Sequence, residues 1–337
     1  MNVWKITAPQ KLSREDIPVP EPEEGKLRVR ITKALLSGTD VSIFNGAIKT
    51  TKYPLVPGRF AVGQIASQNE SGLFPKGTRV LLHAYRAARD CGTEKKDFTE
   101  DEIDILGMTK DGLLRDFVLT RPDEMTPLPD SVSDNDALLV HDVAIAKAVV
   151  DKLGAKKGSH IAVIGADLMG ILVCLLLIYQ QVSPVLIDAD AERLDFAHKC
   201  GVYYTLPSSD AVLDKVAAVT GGRLADGAVY ISSGSTLDPT LAFLVTARGG
   251  DVVICAPDRR GFPLDFSLAI RKQISVYGIS DPEGSLETAI NLIVSKAINL
   301  DFIRSSVSFV GNVGEFFKKY DSESATEFCM MHLFSLL

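Results

Sequence analysis

The amino-acid sequence predicts an α/β protein in which a β-rich domain is joined to a doubly wound parallel-sheet domain. Three observations lead to this prediction. The chain has 337 residues, 46% of them hydrophobic, which is enough for about two globular domains. Residues 1–135 carry short apolar stretches separated by Gly and Pro, whereas residues 136–280 alternate strands of a buried type with helices. We expect residues 281–337 to return to the first domain and complete it.

Short stretches of alternating polarity predict the strands of the first domain. Leu27–Ile31 alternates apolar and polar side chains, as a half-buried strand does. Val62–Ile65 and Thr78–Leu82 are further strand candidates. The Gly and Pro residues around them are typical of a compact, barrel-like domain with tight turns.

Helices and apolar strands alternate in the second domain. Ser133–Lys152 predicts a helix, with Ser133 as its N-cap before Asp136. Continuous apolar strands between helices are typical of a parallel sheet that is covered on both faces. The predicted strands are Ile161–Ile164, Val185–Ile187, Gly227–Ile231 and Asp251–Cys255, with an edge strand at Gln273–Ile279. Helices at Ser285–Lys296 and near Val313–Tyr320, and a closing strand within Glu327–Leu333, are expected after them.

The segment Ser159–Asp190 has the order strand, glycine turn, helix, strand and acid. That order predicts a dinucleotide-binding unit. Gly165 would make the sharp turn, and Gly170 would let the helix pack close to the strand. The helix would begin near Leu168 and present its free N–H groups to phosphates.

Two acids in this unit bear on the choice of cofactor. Asp188, about 20 residues after the turn, is placed to accept hydrogen bonds from both ribose hydroxyls, which favours NAD(H) over NADP(H). Asp167 stands where the middle glycine of the pattern is expected. A carboxylate about 5 Å from a phosphate costs roughly 3 kcal/mol at an effective dielectric constant near 20. Either Asp167 rotates away to cap the helix and binding is weakened, or the unit is purely structural.

Bulk composition excludes several classes of function. The formal net charge is −7 and the pI is about 5.4, which favours neither nucleic acid nor an anionic membrane as a partner. The N-terminal residues have no apolar signal core, and the most apolar run, Leu168–Tyr179, is shorter than the roughly 20 residues of a membrane span. Five scattered cysteines without a CxxC pair predict reduced thiols in a cytoplasmic protein.

Ordered sequence blocks over nearly the whole length identify a family. The chain resembles the medium-chain dehydrogenase/reductase superfamily, and within it the zinc-type alcohol and polyol dehydrogenases. The blocks of the first domain are SGTDVSIFNG (37–46), YPLVPGRFAVGQI (53–65), KGTRV (76–80) and DGLLRDFVL (111–119). Those of the second are the glycine turn, IDADAERLDFAHKCGV (187–202), ISSGS (231–235) and ARGGDVVICA (247–256).

The resemblance implies a GroES-like catalytic domain, a Rossmann dinucleotide-binding domain, and a site in the cleft between them that takes a small-molecule substrate. In this family Asp188 matches the acid that holds the adenosine ribose. Arg193 matches a basic residue that supports the same ribose. Members are usually dimers or tetramers, so a homo-oligomer is expected.

Catalytic zinc is not expected, because the family's ligand positions are occupied by other residues. The family holds this zinc with a Cys, a His-Glu pair and a further Cys or Glu. The corresponding positions here are Ser37, Arg59, Phe60 and His141. A serine, an arginine and a phenylalanine cannot form the tetrahedral set that zinc requires. The segment matching the structural zinc lobe, Ala84–Leu106, holds only Cys91 of the usual four cysteines, so structural zinc is not expected either.

Other side chains are candidates for the work of the missing metal. Arg59 could polarise a carbonyl as a fixed cation. Asp40 matches the acid behind a zinc ligand, so we expect an Asp40–Arg59 ion pair, with a structural plug for the empty site as the alternative. Thr39 matches the hydroxyl that relays a proton. His141 is either a general acid or base or a satisfied core histidine.

Flanking positions add little to this set. Ser42 stands where family members often carry a His, so an outer step of the proton relay is expected to be missing. His83 and Tyr85 either face the substrate or are ordinary loop and core residues.

Two functions remain open at the level of sequence. One is a zinc-independent NAD(H)-linked oxidoreductase that acts on a small carbonyl or alcohol, or on an activated alkene. The other is a non-catalytic or metabolite-binding relative with a degenerate cofactor site. Three altered features favour the second: both zinc sets and the middle glycine of the turn.

Overall fold

The computed structural model describes residues 1–48, 51–67, 74–87, 103–231, 237–255, 266–279, 285–305, 308–309, 313–319 and 332–335. The chain forms two compact units. The first contains Met1–Leu138 together with the described residues from 308 to 335, and the second runs from Leu139 to residue 306. The return to the first unit thus occurs at about residue 307 rather than at 281, because the predicted helix after Ser285 belongs to the second unit.

The strands and helices of the described residues follow in chain order. They are β1 (Asn2–Ala8), β2 (Lys11–Asp16), β3 (Leu27–Leu36), α1 (Gly38–Phe44), β4 (Phe60–Ile65), β5 (Arg79–Leu82), β6 (Tyr85–Ala87), β7 (Ile103–Ile105), β8 (Phe117–Thr120), β9 (Met125–Pro127), α2 (Asp134–Leu153), β10 (His160–Ile164), α3 (Leu168–Tyr179), β11 (Ser183–Asp188), α4 (Ala191–Lys199), β12 (Tyr204–Pro207), α5 (Val212–Val219), β13 (Ala225–Ile231), α6 (Thr240–Val245), β14 (Thr246–Cys255), α7 (Phe266–Lys272), β15 (Ser275–Gly278), α8 (Leu286–Val294), α9 (Asp301–Ser305), β16 (Ser308–Phe309), α10 (Val313–Lys319) and β17 (His332–Ser335).

The first unit is built around one mixed sheet. In its described part the strand order is β16-β17-β3-β4-β5-β9, and β8 pairs with β3. The inward side chains alternate along β3, so Leu27, Val29 and Ile31 are buried as the alternation predicts. Helix α10 adds Phe316 and Phe317 to this core, and Phe317 stacks on Phe44 at 4.6 Å between ring centroids. The two strands β1 and β2, which the sequence patterns did not indicate, form an antiparallel ribbon.

The second unit contains a parallel sheet with strand order β12-β11-β10-β13-β14-β15 over the described residues. All of its strand pairs are parallel, so the predicted doubly wound sheet is confirmed. The order reverses between β10 and β13, which is the position where open α/β sheets bind ligands. The register places Ile164 beside Ile187 on one side and beside Tyr230 on the other.

Helix boundaries follow the local capping chemistry. Helix α2 begins after Ser133, whose Oγ accepts a hydrogen bond from Asp136 N at 3.1 Å, so the predicted N-cap is confirmed. The helix α3 is almost entirely buried, which explains its apolar composition. Of the predicted closing strand 327–333, residues 327–331 lie outside the described residues, and β17 begins at His332 and pairs with β3.

No helix within the described ranges has the length and apolar character of a membrane span.

Candidate active site

The glycine turn lies at the reversal point of the parallel sheet, between β10 and α3. Gly165 has φ +109°, a conformation that L side chains rarely adopt, and a Cβ on it would overlap Ile231 O. A Cβ on Gly170 would overlap Gly165 O. Both glycines are therefore required by contacts of the chain with itself, and a cofactor is not needed to explain them.

Asp167 is the N-cap of α3. Its Oδ1 accepts a hydrogen bond from Gly170 N at 2.8 Å, and its side chain is 6% exposed. The carboxylate thus holds one of the four N–H groups that a helix N-terminus leaves without an intrahelical partner. It sits where the partial positive charge of the helix would otherwise attract a phosphate. Leu168, the first residue of the helix, is half-buried beside it.

Asp188 ends β11 next to the turn. Its Oδ2 accepts from Ala166 N at 2.6 Å and its Oδ1 accepts from Asp190 N at 2.9 Å. The side chain is 3% exposed, so these two bonds fix its orientation. A carboxylate offers about four lone-pair positions, and two therefore remain for ligand hydroxyls. Arg193 is buried on α4, with its Nε 3.7 Å from Asp190 Oδ2.

Two residues that the sequence analysis missed contribute charge or polarity near the same sheet edge. Cys255 ends β14, and burial raises the pKa of its thiol to about 12, with further contributions from the carboxylates of Asp167 and Asp142. Asp142 follows the fully buried His141 on α2. The signal that could have found Cys255 is its place at the carboxyl end of a parallel strand, where ligands gather.

The counterpart of the zinc site in the first unit lies around the N-terminus of α1. Asp40 is 2% exposed, and its carboxylate accepts three hydrogen bonds. The donors are Gly58 N at 2.8 Å, Ser37 N at 2.8 Å and Ser37 Oγ at 3.0 Å. Thr39, in the first turn of the same helix, is half-buried. Asp40 therefore ties the loop before β4 to the start of α1.

The predicted Asp40–Arg59 ion pair is wrong. Both residues are described, and no ion pair joins them. Arg59 instead donates from Nη1 to Tyr85 Oη at 3.4 Å and lies over the ring of Phe60 at 5.3 Å. Backbone and hydroxyl donors already surround the Asp40 carboxylate, so it has no need of a guanidinium partner. Tyr85, named earlier only as a neighbour, is the residue that positions Arg59.

The residues at this place do not fit a zinc ion. The Ser37 hydroxyl is engaged by Asp40, Arg59 carries a positive charge, and Phe60 has no donor atom. In the described part of the chain, no group of three His, Cys, Asp or Glu residues could hold a metal. In the segment that matches the structural zinc lobe, Ala84–Leu106, residues 88–102 lie outside the described residues. Cys91 is among them.

His83 has a structural partner in the first unit. One ring nitrogen lies 2.8 Å from Thr126 Oγ1. Burial lowers the pKa of His83, and the charge of Arg86 lowers it further. These contacts are those of an ordinary packed histidine.

Comparison with known proteins agrees with this architecture. The alcohol dehydrogenase GroES-like domain model matches residues 23–130, and the zinc-binding dehydrogenase model matches residues 169–295. An uncharacterized zinc-type alcohol dehydrogenase-like protein of Haemophilus influenzae is 22% identical over 306 residues, covering 88% of each chain. An L-threonine 3-dehydrogenase of Rhizobium etli is 27% identical over 286 residues, covering 82% of this chain and 81% of the relative.

A solved structure shares the fold over the full length. The short chain alcohol dehydrogenase of E. coli CFT073, complexed with NADH, superposes with a TM-score of 0.85 at 18% identity and covers 100% of this chain and 99% of its own. The two domain models, together with relatives that match over most of the chain, show that the chain belongs to the medium-chain dehydrogenase/reductase superfamily.

Proposed function

We propose that the protein is an NAD(H)-linked oxidoreductase that works without zinc on a small carbonyl, alcohol or activated alkene. The observation that carries the proposal is the placement of Asp188. Its carboxylate is fixed beside the glycine turn at the reversal point of the sheet, with two acceptor positions left over. The family's members are dehydrogenases by name, and one structural neighbour carries NADH.

Asp188, with Arg193 beside it, would hold the adenosine ribose of the cofactor, and the turn from Gly165 to Gly170 would face the pyrophosphate. A negative charge at Asp188 repels a 2′-phosphate, which favours NAD(H) over NADP(H). When bound, the nicotinamide supplies or accepts a hydride.

The remaining chemistry falls to side chains of this chain. Arg59 is held by Tyr85 and forms no ion pair with an acid among the described residues, so its positive charge would polarise a substrate oxygen. The Thr39 hydroxyl is the candidate to pass a proton to or from that oxygen. His141 would act as acid or base only if substrate binding exposes its ring, since the side chain is 1% exposed.

A cofactor titration tests the proposal. NADH and NADPH would be titrated in parallel and followed by nicotinamide fluorescence, because Trp4 is the chain's only tryptophan. The proposal expects saturable NADH binding that is tighter than NADPH binding, and a smaller difference in Asp188→Asn. The proposal fails if neither nucleotide binds up to millimolar concentration in the wild type and in Asp167→Asn.

One observation favours the second candidate, a relative that binds no dinucleotide. The hydrogen bond from Gly170 N to Asp167 uses a helix donor that a phosphate would otherwise take. In that case the turn is held together by its own carboxylate. Failure of binding in both proteins of the titration would support this candidate.

A homo-oligomer is part of the proposal, with β15 as the contact. This strand ends the described sheet, and an edge strand presents unpaired backbone groups to a partner. Phe266 and Ile270 of α7 are 55% and 77% exposed, and Val276 of β15 is 36% exposed. A second copy of the chain would cover these side chains. Light scattering after size-exclusion chromatography should give a dimer or larger for the wild type and a smaller species for Ile270→Glu. An unchanged mass in Ile270→Glu would contradict this contact.

A cytoplasmic location stays a prediction.

A further inference from the structure

A groove of about 630 Å³ lies entirely within the first unit, apart from every residue of the candidate active site. Its walls come from the end of β2, the loop before β4, the turn after β7 and strand β8. The volume is typical of small-molecule sites, which span roughly 300–1,000 Å³. Ile17, Leu106 and Phe117 give it an apolar surface.

The charge of the groove is opposite to that of the chain. Among the described residues that line it, Lys52, Arg86, Lys110 and Arg115 are basic and Asp111 is acidic, whereas the whole chain has a net charge of −7. A local surplus of cations in an acidic protein attracts anionic ligands.

Arg86 is buried without full compensation. Its side chain is 11% exposed and pairs through Nη1 with Glu124 Oε2 at 3.1 Å. Glu124 also serves Arg121, with 3.5 Å between Oε1 and Arg121 Nη2, so one carboxylate answers two guanidinium groups. The buried Nη2 of Arg86 has no hydrogen-bond partner among the described residues. Burial and the charge of Arg115 lower the pKa of Arg86, yet guanidinium groups stay protonated at neutral pH.

Arg115 presents its donors to the groove. Its side chain is 18% exposed, and its Nε donates to Gly112 O at 2.9 Å. The nearest carboxylate, Asp111 Oδ2, is 3.9 Å from Nη2, which is beyond hydrogen-bond distance. Val56 N holds Asp111 by donating to its Oδ1 at 2.9 Å, so that its Oδ2 makes only a long ion pair with Arg115. The guanidinium fork is thus open to a carboxylate or phosphate, which it binds in bidentate fashion.

We propose that this groove binds a small organic anion, with its carboxylate or phosphate group on Arg115, the positive charge of Arg86 behind it, and its apolar body on Ile17, Leu106 and Phe117. The site is independent of the cofactor site and of the proposed oxidoreductase activity. The negative charge of the ligand would offset the positive charges of Arg115 and, at longer range, of Arg86.

Calorimetric titration with three probes tests the proposal: hexanoate, its neutral isostere hexanamide, and inorganic phosphate. Hexanoate should bind saturably and about tenfold more tightly than hexanamide, because charge-assisted hydrogen bonds strengthen the contact. Phosphate should bind more weakly than hexanoate, because it lacks the apolar body. Equal affinity for hexanoate and hexanamide, or for hexanoate and phosphate, would overturn the proposal, as would no saturable binding of hexanoate.

Variants locate the binding. Arg115→Gln should reduce hexanoate affinity to that of hexanamide, and Arg115→Lys should keep part of the preference. Arg14→Gln, at an exposed arginine of β2 outside the groove, should change nothing. Arg86 is not substituted, because it pairs with the largely buried Glu124 and its loss could disturb the fold. Lys52→Gln, at an exposed position, is the second groove variant and should weaken hexanoate binding by about twofold. Hexanoate binding that is indifferent to both Arg115 variants, or that competes with NADH, would contradict the assignment.

Discussion

Two regions that the family resemblance links to function, one in each unit, differ from the family pattern in different ways. Around α1, the positions that the resemblance assigns to metal ligands hold Ser37, Arg59 and Phe60, while Asp40, at the position of the acid behind them, accepts hydrogen bonds from backbone N–H groups. Around the turn before α3, the reverse holds. The packing residues Gly165 and Gly170 are kept, and the position nearest a bound phosphate has become Asp167.

The difference between these two regions indicates which residues are needed for folding alone. Asp40 accepts three hydrogen bonds within its own unit, and a Cβ on Gly165 or Gly170 would overlap a backbone oxygen of the second unit, to which both glycines belong. Their presence is explained by folding and carries no information about a ligand. The evidence for function must come from residues with spare capacity, which are Asp188 in one unit and Arg59 in the other.

The largest expected effect is on stability, at the glycine of α3. Gly170→Ala forces a methyl group against Gly165 O and should lower the free energy of unfolding by about 3 kcal/mol or more. The matched control is Gly38→Ala at the start of α1, where a Cβ meets nothing within 4 Å. Urea unfolding should find the control within about 0.5 kcal/mol of wild type. Equal effects of the two changes would remove the distinction between the two regions.

A smaller effect on stability is expected at Asp40, in the first turn of α1. Asp40→Asn places an amide donor among three donors and should destabilise the protein by about 2 kcal/mol. Arg59→Met, which loses one long hydrogen bond to Tyr85, should cost less than about 1 kcal/mol. Thermal unfolding of both variants checks the order. A larger loss for Arg59→Met would mean that Arg59, and not Asp40, holds this region together.

The smallest expected effect is on the pH dependence of stability and comes from His83, which lies near Arg86. Burial lowers the pKa of His83 from its ordinary value of 6.5, so the unfolded chain takes up a proton at a higher pH than the folded one does. The stability that neutral His83 contributes is therefore fully present above pH 6.5. It is lost as the pH falls from there through the lowered pKa of the folded protein. His83→Asn should show a smaller drop in melting temperature between pH 7.5 and pH 5.5 than wild type.

His198→Asn, at an exposed histidine of α4, is the control and should follow the wild type. A drop for His83→Asn as large as that of the wild type would show that His83 contributes nothing to the acid sensitivity.

Much of the fold could be predicted because its signals are local. The apolar runs at Ile161–Ile164 and Gly227–Ile231 correspond to parallel strands, and the glycine spacing located the turn before α3. Ser133 was found as a cap because its partner lies three residues away. The ribbon of β1 and β2 escaped, since its pairing runs between stretches that carry mixed polar and apolar side chains.

The site was harder to predict because side-chain partners are set by distant segments. The partner of Asp40 could not be chosen from sequence, and Gly58 N, rather than the next residue's guanidinium, proved to hold it. Tyr85 lies 26 positions from Arg59 and was known only as a neighbour. The presence of Arg86 and Arg115 in one groove likewise depends on where the separate β6-β7 ribbon lies relative to the residues just before β8.

We expect the turn before α3 to bind the dinucleotide, with the negative charge of Asp167 weakening that binding. The direct measurement is the NADH dissociation constant of wild type and Asp167→Asn, since Asn keeps the cap on Gly170 N and removes only the charge. Asp226→Asn is the matched control. Asp226 also accepts a backbone hydrogen bond, from His160 N, but it lies at the amino-terminal ends of the strands, opposite the turn. NADH should bind about tenfold to a hundredfold more tightly to Asp167→Asn, and its binding to Asp226→Asn should be unchanged. An unchanged dissociation constant in Asp167→Asn would contradict this expectation.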